Sequence, residues 1–87
     1  MKVVMYTTGR CPYCTLAEGI LKKHGVTSIE KKRVDLYAED REEMVNRSGR
    51  RSVPQIFIGD AHIGGSDELE QLDRSGALGA MLAGTAS

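Results

Sequence analysis

Cys11 and Cys14 are the only cysteines in the chain, and a disulfide between them would close a loop with just Pro12 and Tyr13 inside it. Cross-links stabilise chiefly by restricting the unfolded chain, and so short a loop restricts it very little. The 87 residues therefore have to fold by packing alone. A chain of this size hides only about 60–65% of the surface that its unfolded form exposes. Apolar residues must then be spent on one core, and a single domain over residues 1–87 is expected. With 40% hydrophobic and 28% charged residues the composition suits this and is unlike that of a disordered segment.

The order of the elements follows from periodicity. Val3-Val4-Met5-Tyr6 is a short apolar run with β-branched and aromatic residues, as in a strand buried on both faces. It starts so close to Met1 that no N-terminal extension is expected. Ala17, Ile20, Leu21 and His24 recur at helical spacing, with Lys22 and Lys23 in the last turn and Gly25 as a stop, which predicts a helix over Pro12 to His24. Between Ser28 and Leu36 a weak alternation studded with lysine and arginine fits an edge strand. A second helix is expected from Glu39 to Arg47, opened by acidic residues and closed by Gly49. Val53 to Ile58 reads as a second strong strand, turned by Gly59-Asp60 into a short partner, Ala61 to Ile63. Ser66 or Asp67 is the expected cap of a helix through Leu69 and Leu72, Ser75-Gly76 interrupts it before Ala77 to Ala83, and residues 84–87 should fray. This is an α/β order, β-α-β-α-β-β-α, and it predicts a four-stranded mixed sheet with helices on both faces.

Charge narrows the partners. Twelve basic against twelve acidic residues leave no net charge, which argues against nucleic acid or an anionic membrane and favours a neutral or small ligand held by local charges. No apolar stretch is long enough for an export signal's core or a bilayer span, so a cytoplasmic location is expected.

The cysteine pair is open to three readings: redox chemistry, half of a metal site, or coincidence. A structural zinc needs four ligands, and beyond the pair the chain has only His24 and His62, far from finger spacing. Redox chemistry is favoured, since a C-x-x-C pair beside a β-α-β pattern is its usual setting. With Cys11 at the N-cap and Pro12 at the first helical position, the sulfur faces the amides of Tyr13 and Cys14, and the helix dipole favours its anion. Helix starts and C-x-x-C motifs bring a thiol from about 8.5 down to roughly 3.5–7.5. Arg10 pushes the same way. Cys14, one turn in and less exposed, keeps its proton. It is placed to attack a mixed disulfide formed at Cys11, which makes Cys11 the nucleophile and Cys14 the resolving thiol.

Cys11-Pro12-Tyr13-Cys14 after a strand, Ser52-Val53-Pro54-Gln55-Ile56-Phe57-Ile58, and Gly64-Gly65-Ser66-Asp67-Glu68-Leu69 resemble, in this order and spacing, a dithiol glutaredoxin. The resemblance runs from Val3 to about Leu82. It separates the chain from thioredoxins, whose pair usually reads Cys-Gly-Pro-Cys after a tryptophan, a residue absent here. It implies a thioredoxin-like fold and a glutathione-dependent thiol–disulfide oxidoreductase. Such an enzyme reduces protein–glutathione mixed disulfides and protein disulfides, including those of reductases such as ribonucleotide reductase. Glutathione is implied as co-substrate, with no tightly bound cofactor and no metal, and the protein as a monomer whose other partners are disulfide or glutathionylated proteins. By motif match, Tyr13 flanks the tripeptide, Val53 pairs with its cysteinyl backbone, and Pro54 is cis. Ser66 and Asp67 hold the γ-glutamyl end, and Arg41 reaches the glycine carboxylate. Many members carry a lysine three residues before the first cysteine; here that position is Thr8, and Arg10 is the substitute. The alternative the resemblance offers is an iron–sulfur module in which Cys11 of two subunits and two glutathiones hold a cluster. The Pro12-Tyr13 insert suits this less than the monothiol variants do.

Overall fold

Val3 to Thr7 are buried without a break, and they form the strand around which the fold is built. The computed structural model describes residues 2–84. In chain order it contains β1 (Val3–Thr7), α1 (Pro12–Lys23), β2 (Glu30–Arg33), α2 (Ala38–Ser48), β3 (Gln55–Ile58), β4 (Ala61–Gly64), α3 (Ser66–Ser75) and α4 (Ala77–Gly84). The sheet order is β2-β1-β3-β4, with β1 parallel to β2 and antiparallel to β3, and β3 antiparallel to β4. This is the expected mixed sheet with its two apolar strands in the middle.

Side chains alternate across a strand, and here the alternation sorts the core into two layers. Val3 and Met5 of β1 and Ile56 and Ile58 of β3 pack on Ala17, Ile20 and Leu21 of α1, Leu69 of α3 and Leu78 of α4. Val4 and Tyr6 of β1 and Phe57 of β3 pack on the other face with Val34, just after β2, and Met44 of α2. Helices thus cover both faces. The edge strand β2, Glu-Lys-Lys-Arg, is the charged edge that the sequence predicts, though shorter than its expected span.

Two boundaries differ from expectation, and one expected break has a further consequence. β3 begins at Gln55 rather than Val53, because Pro54 has no N–H for the ladder and joins Val53 by a cis peptide, leaving 52–54 as a turn. The interruption expected at Ser75-Gly76 is present, and it makes the C-terminal stretch two helices where the expected order counts one, with Gly76, at a φ of 82°, ending α3 in the left-handed region. Neither Ser66 nor Asp67 is the cap of α3: Gly65 is, and Ser66 and Asp67 are the first two helical residues. The Gly65 N–H instead meets Oε1 of Glu68 at 2.9 Å, the returning half of a capping box. Of the tail expected to fray, residues 85–87 lie outside the described residues.

Two contacts set α3 in place. Asp73 bridges back to the end of α1, accepting from Lys23 Nζ and pairing with His24 Nε2, each at 2.6 Å. At the other end Gly64 has a φ of 112°, and a Cβ there would run into the Glu68 carboxylate. Gly64→Ala is therefore expected to destabilise the protein by about 1–3 kcal/mol. A chemical denaturation midpoint matching wild type would contradict this.

Candidate functional site

The loop from β1 to α1 carries the cysteines. It is tethered by the Gly9 N–H, which donates to Asp35 Oδ2 at 3.1 Å. Asp35 is in turn gripped by Arg33 at 2.8 and 2.7 Å, and this guanidinium holds its carboxyl well below the usual range. The helix then starts in the predicted register, with Cys11 at the N-cap and Pro12 in the first turn. Cys11 has extended backbone angles, and its sulfur accepts the Cys14 N–H at 3.2 Å. Of the two amides expected to face the sulfur, Cys14's makes this bond. Both thiols are free. Cys11 is half-buried, whereas Cys14 is 6% exposed and packs in the main core. Burial, followed by the hydrogen bond with Cys11, pushes the Cys14 thiol up to about 11, while hydrogen bonds from Thr7 and Thr8 oppose it.

Residues of this helix start line two clefts. The first, of about 240 Å³, is lined by Tyr13 at the start of α1, by the turn Ser52-Val53-Pro54 with Gln55, by Arg50, and by Gly65 to Glu68 where α3 begins. Five predicted residues, Tyr13, Val53, Pro54, Ser66 and Asp67, therefore share one wall system although they come from three distant stretches of chain. Tyr13 is 61% exposed, so its ring borders solvent over the cleft instead of filling the core. No side chain caps α3 from the N-cap position, and the first amides of a helix have no partner within it. The Ser66 and Asp67 N–H groups thus stand at the cleft as donors.

The second cleft, of about 230 Å³, holds Cys11 and Cys14 with Thr7, Thr8, Gly9, Thr15, Glu18, Lys31 and Arg33. Thr8 is beside the sulfurs there. The cations of this cleft are both engaged, Lys31 by Glu18 at 2.6 Å and Arg33 by Asp35, so neither brings an unpaired positive charge to the place of Thr8. Arg10 and Arg41 line neither cleft and are exposed. The cation that does line the first cleft is Arg50, which the sequence reading passed over. It pairs with Glu68 Oε1 at 2.5 Å, the same oxygen that receives the Gly65 N–H. Its only local sign was its place in the polar connection just ahead of Val53-Pro54. Among the described residues no group of three or more His, Cys, Asp and Glu side chains is placed to hold a metal, and no helix is long and apolar enough to cross a membrane.

Comparison with known proteins places this geometry among relatives. The family model described as glutaredoxin matches residues 3–63. The chain is 49% identical over 80 residues to a glutaredoxin of Neisseria meningitidis serogroup A, covering 92% of this chain and 94% of that one. It is also 49% identical over 80 residues to glutaredoxin 3 of Escherichia coli K12, covering 92% and 95%. Among solved structures it superposes on the solution structure of a glutaredoxin from Brucella melitensis with a TM-score of 0.79 at 39% identity, over 94% of this chain and 88% of that one. A buckwheat glutaredoxin–glutathione complex matches with a TM-score of 0.82 at 27% identity, over 93% and 76%.

Proposed function

The chain belongs to the glutaredoxin family of thiol–disulfide oxidoreductases, and from that premise we propose that it spends glutathione to reduce protein–glutathione mixed disulfides and protein disulfides. The observation that carries this reading is the first cleft, where Tyr13, Val53, Pro54 and the open start of α3 converge at the same end of α1 as the Cys11 sulfur. Each part answers one part of the tripeptide. The Val53 backbone, outside the ladder, offers an extended ligand the pairing of an added strand. The Ser66 and Asp67 amides suit a carboxylate at a helix start, and the exposed Asp67 side chain suits the ammonium beside it. Arg50 is the cation of the cleft, but it is paired with Glu68, so it can meet a ligand carboxylate only by sharing or exchanging that partner. The match to a glutaredoxin solved with glutathione supports the same assignment.

In the proposed cycle the Cys11 thiolate attacks the glutathione sulfur of a mixed disulfide. The Cys11–glutathione bond forms as the protein's sulfur leaves with the electron pair and takes up a proton. A second glutathione, as thiolate, then attacks the sulfur of the bound one, releasing Cys11 as thiolate and glutathione disulfide as product. With a protein disulfide, Cys11 joins one sulfur and Cys14 displaces it, so the protein leaves as a dithiol and the Cys11–Cys14 bond is left for two glutathiones to reduce.

A coupled assay tests this, with the mixed disulfide of glutathione and a cysteine peptide as substrate, and with glutathione and glutathione reductase supplying electrons. Wild type should turn over. Asp67→Asn should raise KM about tenfold, the scale of one charge-assisted hydrogen bond, with a smaller change in kcat. A protein that accepts electrons from thioredoxin reductase and none from glutathione would refute the proposal.

A further inference from the structure

Gln55 is 1% exposed and stands opposite Tyr6 in the β1–β3 ladder, a buried place where an unpaired amide would be costly. Both ends are paired. Nε2 donates to the Ser52 carbonyl oxygen at 2.9 Å and reaches Ser52 Oγ at 3.3 Å, while Oε1 meets His62 Nε2 at 2.8 Å. The direction of this relay is fixed by chemistry. A carbonyl oxygen only accepts, so the amide nitrogen must face Ser52, the amide oxygen must face His62, and His62 must carry its hydrogen on Nε2. The imidazole is itself seated, with its ring 4.8 Å from that of Phe57 and tilted by 30°. Burial and the nearby Arg50 and Arg47 hold the imidazole's affinity for a second proton below the usual value, against the pull of Glu68.

The relay ends where the cleft needs rigidity. Ser52 precedes Val53-Pro54, which lies outside the β3 ladder. Among the described residues no backbone-to-backbone bond outside the helices and strands involves Ser52 or Val53. The side chain of Gln55 thus supplies hydrogen bonds from the sheet to Ser52, beside the packing of Val53 on both core layers.

We infer that Gln55 is a positioning residue for the bound peptide: anchored by His62 on β4, it fixes the Ser52 backbone and so sets the Val53 peptide groups against which the ligand is laid. The inference rests on the glutathione reading above, and the experiment separates the two. In the coupled assay, Gln55→Leu and Gln55→Glu should each raise KM for the glutathione–cysteine-peptide disulfide about tenfold, with kcat changed less than about twofold, as expected when a bond acts through ground-state placement. The rate of Cys11 alkylation by iodoacetamide in the absence of ligand should be unchanged. His62→Asn, at an exposed position that does not endanger the fold, should raise KM about threefold. Nitrogen-15 spectra of wild type should show His62 as the Nε2–H tautomer, and in Gln55→Leu as a mixture. Wild-type turnover with all three variants matching it in KM, or a wild-type His62 protonated on Nδ1 alone, would overturn the inference and leave the glutathione reading standing. A wild type inert toward glutathione would overturn both.

Discussion

Cys11→Ser is expected to lower turnover of a glutathione mixed disulfide at least about 10³-fold, the scale on which loss of a nucleophile acts, while the fold is kept. The two halves of that expectation have one structural origin. Cys11 is the N-cap of α1, and its sulfur accepts the Cys14 N–H. A serine oxygen is a better partner for that amide than sulfur, since serine is among the favoured N-cap residues. The helix start should therefore survive, and the thermal midpoint should hold or rise slightly. Chemistry is what disappears. The helix amides and dipole that favour a sulfur anion cannot bring a hydroxyl to ionise near neutral pH, and a neutral hydroxyl does not displace a thiolate from a disulfide. Activity and midpoint measured on the same preparation thus separate catalysis from stability. A variant retaining a tenth of wild-type turnover would mean that Cys14 attacks first, and the roles assigned to the two thiols would be reversed.

What was legible in the sequence tracks how local its cause is. β1 and the main part of β3 were readable because strands buried on both faces need near-continuous apolar runs, and Val3 to Tyr6 and Ile56 to Ile58 supply them. The register of α1 was readable because Pro12 fits the first turn and little else in a helix. The cap of α3 was misread for a reason equally physical. Ser66 and Asp67 are better caps by type than Gly65, but Glu68 reaches back to the Gly65 N–H, and the φ of Gly64 sets the entry path. The cleft's cation was missed because it depends on the course of the chain from Gly49 to Pro54, which carries no periodic signal. Arg10 and Arg41 suggested themselves by sequence position, yet both are exposed outside the wall that Arg50 lines. Gln55 was hidden within an apolar run. Its partners, Ser52 and His62, become its neighbours only when the turn and the β3–β4 hairpin form.

Cys14→Ser should split the two activities that Cys11→Ser removes together. Glutathione completes the mixed-disulfide cycle from outside, so that activity needs only Cys11 and should stay within about threefold of wild type. Reduction of a protein disulfide needs an internal attack by the second sulfur, and it should fall by about 10²-fold or more, the internal thiol's advantage of proximity being lost. Burial adds a pH signature. The Cys14 thiol is pushed up to about 11, chiefly because the core around Ala17, Leu21 and Leu69 solvates a thiolate poorly. Since the thiolate attacks, the resolving step should accelerate nearly tenfold per pH unit from neutrality toward that value. Deglutathionylation also needs a thiolate, that of the second glutathione, so its rise should end near the ordinary thiol value of about 8.5 while the resolving step keeps accelerating toward the Cys14 value. The hydrogen bond with Cys11 that adds to the upward push is lost once Cys11 is in a mixed disulfide, and the opposing bonds from Thr7 and Thr8 remain. The midpoint of the rise should therefore lie somewhat below 11 and above the ordinary thiol value. Rapid-mixing measurement of the resolving step across pH, beside steady-state deglutathionylation at the same pH values, reads both slopes. A resolving step that levels off together with deglutathionylation near the ordinary thiol value would remove the buried Cys14 as the resolving thiol.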